Sequence, residues 1–331
     1  MNKKVLVCGG AGYIGSHTAR LLTKRGYEPV IMDNLTTGHK DALPPGSTFY
    51  QVDCRERHLV RQILEYEKID TIFHFAACSI VAESTENPRK YFTNNLNGTL
   101  ALLEAMLTTA TKKIVFSSSA AVYGNPEEIP IPDSQALEPI NPYGESKMFI
   151  EKVLERYATA YGIKAVSLRY FNACGAWPDG SQGEDHHPET HLIPLVLKTA
   201  LKQRDKIQIY GEDYPTRDGT PIRDYIHITD LAEAHLLARE YMESFSAPKH
   251  YNLGNGAGFS VKEVVQAAAA VTGCSIPFEI SPRRPGDPAI LVADAQSASA
   301  ELGWKPELTT MEEMIESAWE WHKRHPHGFT G

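Results

Sequence analysis

Short apolar runs alternate with amphipathic stretches through the first half of the chain. Strands are predicted at Lys4–Cys8, Pro29–Asp33, Thr71–Ala76, Lys113–Ser117 and Lys164–Arg169. Helices are predicted near Tyr13–Arg25, Arg55–Glu67, Pro88–Thr108 and Tyr143–Tyr161, with Gly26 and Gly162 where helix C-caps belong. Hydrophobic strands alternating with helices imply a parallel sheet covered on both faces. Ligands of such sheets bind beyond the carboxyl ends of the strands. Polar and small residues gather there: Asp33, then Ala76-Ala77, then Ser117-Ser118-Ser119, then Tyr170-Phe171-Asn172.

After Asn172 the alternation stops. A loop rich in Gly, Asp and His (Gly175–His191) precedes a helix candidate near Leu192–Gln203, then the turn-rich YGEDYPTRDGTPIRDYIH and mixed short elements. We expect a doubly wound Rossmann-type domain over residues 1–172, with a returning segment near 224–240. A smaller mixed α/β substrate lobe is expected over 173–331. The final stretch, HKRHPHGFTG, reads as a frayed tail.

The formal net charge of -8 argues against nucleic acid or an anionic membrane as the main partner. No apolar run is long enough to span a bilayer, and the start enters a strand without a secretory signal. Five scattered cysteines with no CxxC fit a reduced, cytoplasmic setting.

Gly9-Gly10-Ala11-Gly12-Tyr13-Ile14-Gly15 carries GxxGxxG between a strand and a helix. Bare backbone there can approach a pyrophosphate, and the helix N-terminus offers unpaired amides. Asp33 ends the next strand, placed to accept both ribose hydroxyls of an adenosine. It would repel a 2′-phosphate, which favours NAD over NADP. Asp53 could accept from an adenine amino group or cap the following helix.

Tyr143 and Lys147 stand four apart in PYGESK, on one face of a helix. An ammonium beside a phenol favours the phenolate, so a group that normally titrates near pH 10 could act as a base near neutrality. Ser119 could hydrogen-bond a substrate hydroxyl beside it. Base, polarising hydroxyl and cation are the parts that hydride transfer at a secondary alcohol needs. The spacing in Glu184, Asp185, His186, His187, Glu189 and His191 matches no helical or turn ligand pattern. This cluster reads as a polar loop lining the pocket, with no metal. Trp319, Trp321 and His322 read as a helix packing on the lobe.

The stretches GGAGYIGSH, DNLTTGH, FHFAA, NNLNGT, SSSAAVYG, NPYGESK, LRYFNACGA, YGEDYPTRDGTPIRDYIH, YNLGNG and RRPGD resemble the extended short-chain dehydrogenase/reductase family over nearly the whole chain. Within it they are similar to members that invert C4 of a UDP-hexose. The resemblance implies interconversion of UDP-glucose and UDP-galactose through a 4-keto sugar, on tightly held NAD. Another UDP-hexose, UDP-N-acetylglucosamine or UDP-glucuronate, is the alternative. Tyr143 would serve as base and acid, assisted by Lys147 and Ser119. The cofactor would meet Gly9, Gly12, Tyr13, Ile14, Gly15, Asp33, Asn34, Asp53, Cys54, Phe75, Ala76, Ala77, Asn94, Ser117, Tyr143, Lys147 and Tyr170. Asn172, His191, Tyr210, Arg223, Arg284, Asp287 and Leu291 would join Ser119 and Tyr143 around the UDP-sugar.

Three positions depart from relatives. Ser79 stands where several place a lysine, and His191 where many have asparagine. Leu291 lies between the tyrosine and the small residues found beside the sugar's C2 substituent. Ala120 and Ala121 stand where sugar-nucleotide dehydratases carry an Asp-Glu pair, and alanine moves no protons. A homodimer through a helix bundle is implied by the resemblance. Its faces would be Leu100, Leu102, Leu103, Met106 and Leu107 on one helix and Phe149, Val153 and Tyr157 on the other.

Overall fold

The computed structural model describes residues 3–284 and 286–329. Pro285 of RRPGD and the last two residues of the tail lie outside the described residues. Seven parallel strands form the main sheet: β1 (Lys4–Cys8), β2 (Glu28–Asp33), β3 (Thr48–Gln51), β4 (Thr71–His74), β5 (Lys113–Ser117), β6 (Lys164–Tyr170) and β7 (Lys249–Leu253). Their order is β7-β6-β5-β4-β1-β2-β3. The order reverses between β1 and β4, and a crevice opens there at the carboxyl ends.

Side-chain alternation splits the core in two. Val5, Val7, Ile31, Phe73, Val115 and Val166 face helices Tyr13–Lys24 and Ile228–Ser244. Leu6, Val30, Met32, Ile72, Ile114 and Phe116 face helices Arg57–Glu67, Asn97–Leu107 and Pro142–Tyr161. All twelve of these strand residues are at most 2% exposed, so each contributes roughly 1.5–3 kcal/mol of burial. The return to the sheet runs beyond residues 224–240, through helix Ile228–Ser244 into β7.

Two expected helices differ in form. The stretch 88–108 divides into Pro88–Tyr91, a π-helical turn Phe92–Leu96 and Asn97–Leu107. The irregular turn holds the buried Asn95, whose amide serves groups outside the helix. The helix expected from Arg55 begins at Arg57 with Glu56 as its cap residue, so Asp53 is not its cap.

In the second half, helices Leu192–Ala200, Val261–Thr272 and Met311–Arg324 share a core of Val196, Leu197, Val264, Met314 and Ile315. Trp321 and His322 of the last helix are buried, and Trp319 is partly so. Small sheets flank these helices: Ile207–Tyr210 with Phe278–Ser281, and Phe259–Ser260, Ile222–Arg223 and Ile290–Leu291. The tail is not frayed as far as Phe329. The Phe329 ring packs on His39 and Trp321, and its N–H donates to Asp185 Oδ2 at 2.9 Å. Among the described residues no helix is long and apolar enough to cross a membrane, and all five cysteines are free.

Burial holds several histidines neutral. It lowers His17, His235 and His322 to about 4, and His74 and His227 to about 3. Above pH 6.5 these groups are neutral folded or unfolded and add no pH dependence. Below it the unfolded chain gains protons that the folded chain refuses, so stability falls with pH, by about 1.4 kcal/mol per unit for each such group. Melting temperature is therefore expected to be clearly lower at pH 5.5 than at pH 7. A flat profile would contradict the burial of these rings as neutral species.

Candidate active site

The glycine turn follows β1 and stacks tightly. A Cβ on Gly9, whose φ is +81°, would lie 2.5 Å from the Ala76 nitrogen, and one on Gly15 would lie 2.2 Å from the Gly9 oxygen. Side chains are excluded at both positions, which leaves bare backbone at the start of helix Tyr13–Lys24, with Gly12 at its N-cap. Ile14 packs into the core, and Tyr13 donates its hydroxyl hydrogen to the Gly175 oxygen at 2.7 Å. Asp33 ends β2, accepting from Ala11 N–H at 3.0 Å and Leu35 N–H at 2.8 Å. Burial pushes its carboxyl up, and these amides oppose the shift. Beyond β4, Phe75 and Ala76 donate their N–H groups to the Cys8 oxygen, which fixes the floor of the crevice at Ala76-Ala77. These features fit a dinucleotide lacking a 2′-phosphate.

Asp53 is occupied: Arg55 clasps it through Nε at 2.8 Å and Nη2 at 2.7 Å, and Asn34 donates at 2.9 Å. The Arg55 bonds are the main reason its carboxyl is lowered to about 2. Cys54 points inward to Cys8, and its Sγ would stand 2.6 Å from a Cβ on Gly98, so its side chain faces the core.

Helix Pro142–Tyr161 brings up the base. The Asn141 side chain caps it by accepting from Gly144 N–H at 2.9 Å, and Gly162 closes it in the left-handed conformation. A Cβ on Gly144 would lie 2.4 Å from the Ala121 oxygen, so glycine allows the helix to press on the 120–122 turn. That contact sets Tyr143 beside Ser119, whose hydroxyl works against the effect of burial on the phenol and accepts from Ala121 N–H at 3.2 Å. Lys147, 2% exposed, donates to the Ser117 oxygen at 2.6 Å. Its ammonium lies 4.9 Å from the Phe116 ring centre and 5.8 Å from that of Tyr143. The Ser117 and Tyr170 hydroxyls are hydrogen-bonded to each other.

The acid–base balance departs from the expectation of a phenol acidified by its neighbouring cation. Burial raises Tyr143 above its ordinary value, and the Ser119 hydroxyl only partly opposes this. Burial also lowers Lys147 to about 7, against the opposing pull of Glu151. Desolvation disfavours the charged form of each group, so it moves the phenol up and the ammonium down.

Of the other expected residues, Asn172 lies on the short strand Asn172–Cys174 and donates to the Asp224 oxygen at 3.1 Å. Arg223 pairs with Asp287, and the Arg284 guanidinium lies 4.0 Å over the Tyr210 ring. Leu291, aligned with Arg223 on the neighbouring strand, packs against the cluster of Val122, Tyr123, Ile131 and Met148, as Phe171 does. His191 caps helix Leu192–Ala200 and hydrogen-bonds Glu184. Asn94 donates to Asn95 at 3.2 Å. The six-residue polar cluster divides: Asp185 and His187 pair on the side of His39, away from the other four.

A model of the NAD dependent epimerase/dehydratase family matches residues 5–254. The chain belongs to that family. It is 52% identical to the UDP-glucose 4-epimerase of Lacticaseibacillus casei, over 98% of each chain. A solved UDP-glucose 4-epimerase superimposes with a TM-score of 0.97 at 48% identity, covering 99% of this chain and 100% of the other. The UDP-glucose 4-epimerase from Bifidobacterium longum, solved in complex with NAD+ and UDP, gives a TM-score of 0.94 at 40% identity, covering 98% and 100%.

Around this epimerase/dehydratase core the fold uses residues to which the motifs gave no role. Glu151, one turn past Lys147, accepts from Ser118 Oγ at 2.5 Å and from Arg169 Nη2 at 2.7 Å. Arg169 donates on to Tyr123, and Tyr123 to Asn252. Asn95 clamps Cys78 through its N–H and carbonyl and donates to Ser146, which donates to the Tyr143 oxygen of the backbone. Buried Asp224 accepts from the N–H groups of Asn255, Gly256 and Ala293. For Glu151 the signal was the four-residue interval Tyr143–Lys147–Glu151.

Proposed function

We propose that the protein interconverts UDP-glucose and UDP-galactose by inverting C4 through a transient 4-keto sugar, with NAD retained between cycles. The observation carrying this is the gathering of Ser119, Tyr143 and Lys147 at the end of β5, on the same carboxyl edge of the sheet as the glycine turn after β1, with proton-inert Ala120 and Ala121 next to them. NAD held over the glycine turn and Asp33 would supply the hydride acceptor and donor for C4, and the positive charge of its oxidised ring would favour a phenolate at Tyr143. Tyr143 removes the O4 proton and later gives it back. Ser119 aligns the reacting hydroxyl, and Lys147 is held in place by the Ser117 carbonyl. Tyr210 offers an aromatic face to uracil, and Arg223 and Arg284 offer guanidinium forks to the diphosphate. A fixed UDP anchor lets the sugar turn without leaving. Leucine at 291 is shorter than tyrosine, so N-acetylated sugars belong in the test. Purified protein incubated separately with UDP-glucose, UDP-N-acetylglucosamine and UDP-glucuronate, without added NAD, is expected to form UDP-galactose from the first. No product from any of them would overturn the reading.

The same reading includes a cytoplasmic homodimer. Leu102, Leu103 and Met106 are spent on the core, but Leu96, Leu100, Phe149, Val153 and Tyr157 line an open apolar cleft of about 460 Å³. A second copy set across these two helices would bury it. Light scattering is expected to give twice the chain mass, and Phe149→Lys half that value. A monomeric native protein at micromolar concentration would refute the dimer.

A further inference from the structure

The spacing of Glu184, His186, Glu189 and His191 suggests no ligand set, yet folding brings one atom from each to within 4.8 Å of all the others. His186 Nδ1 stands 3.2 Å from Glu184 Oε1 and 3.9 Å from Glu189 Oε2. An edge of a tetrahedral zinc site measures about 3.3 Å, given metal–ligand bonds of roughly 2.0–2.1 Å. The two carboxylates lie at the bottom, each side chain 4% exposed, and the histidines lie above them toward solvent.

Glu189 supplies the independent sign. Its Oε1 accepts from the N–H groups of Thr190 and His191, while Oε2 is buried, turned toward His186 and, among the described residues, without a hydrogen-bond partner. A buried carboxylate oxygen that faces the His186 ring at 3.9 Å, beyond hydrogen-bond reach, is costly, and a metal ion between the two would remove the cost.

We propose that Glu184, His186, Glu189 and His191 bind one divalent transition-metal ion, zinc by the mixed imidazole and carboxylate donor set. Four protein ligands close the shell, so the ion is structural and takes no part in the chemistry at Tyr143. It ties the loop before helix Leu192–Ala200 to the glycine turn, because the His186 ring meets Tyr13 edge-on at 6.2 Å. His191 then serves as a ligand, and the nucleotide role expected of it lapses.

Tag-free protein is tested by elemental analysis, before and after dialysis against a chelator and after return of zinc. One zinc per chain is expected, with a melting temperature about 5 °C lower after chelation and restored by zinc but not by magnesium. Glu189→Gln is expected to weaken zinc binding at least tenfold. Anomalous diffraction at the zinc edge from native crystals needs no variant, and it should show a peak among these four side chains. Zinc below one-tenth per chain after incubation, a peak elsewhere, or unchanged binding by Glu189→Gln would overturn the proposal.

Discussion

Replacing Tyr143 with phenylalanine is expected to lower turnover about a thousandfold while the bound NAD stays in place, since positioned acid–base groups contribute roughly 10²–10⁴ in rate. The phenol combines burial, the neighbouring Ser119 hydroxyl and an ammonium 5.8 Å from its ring centre. Phenylalanine keeps the ring and its edge contact with Tyr91, 6.4 Å away, so the packing survives. Turnover of UDP-glucose and the nucleotide released on denaturation, measured on one preparation, separate lost chemistry from lost cofactor. Activity within tenfold of native would remove Tyr143 from the role of base.

Replacing Glu151 with leucine is expected to destabilise the fold by about 3–5 kcal/mol, because it leaves the Arg169 guanidinium buried and unpaired. The two side chains are 1% and 4% exposed, so water cannot take the partner's place. Melting temperature should fall by roughly 10 °C. Replacing Arg169 with methionine as well should recover much of the loss, since exchanging a whole buried pair for apolar residues is often neutral. Equal melting of Glu151→Leu and native protein would mean that the pair carries no structural role.

The strands were legible because parallel, doubly covered strands are continuous apolar runs such as KVLVC, and their pattern is local. The glycine turn and the Tyr143–Lys147 spacing were legible for the same reason: each is complete within a few residues. What escaped depends on partners far apart in sequence. β7 joins β6 only after the chain has passed through the second half and returned along helix Ile228–Ser244. Glu151 meets Arg169 and Ser118 across three elements, and Asn95 reaches both Cys78 and Ser146. The direction of the Tyr143 shift was missed because adjacency to Lys147 is visible in sequence and desolvation is not. Phe329 looked like a loose end because its contacts, His39, Trp321 and Asp185, lie elsewhere in the chain.

In the reaction proposed above, C4 loses and regains its own hydrogen inside one site. UDP-glucose deuterated at C4 can be turned over without added NAD and the product examined for label. UDP-galactose that keeps the deuterium at C4 is expected, and loss of the label to solvent would rule out an internal hydride return.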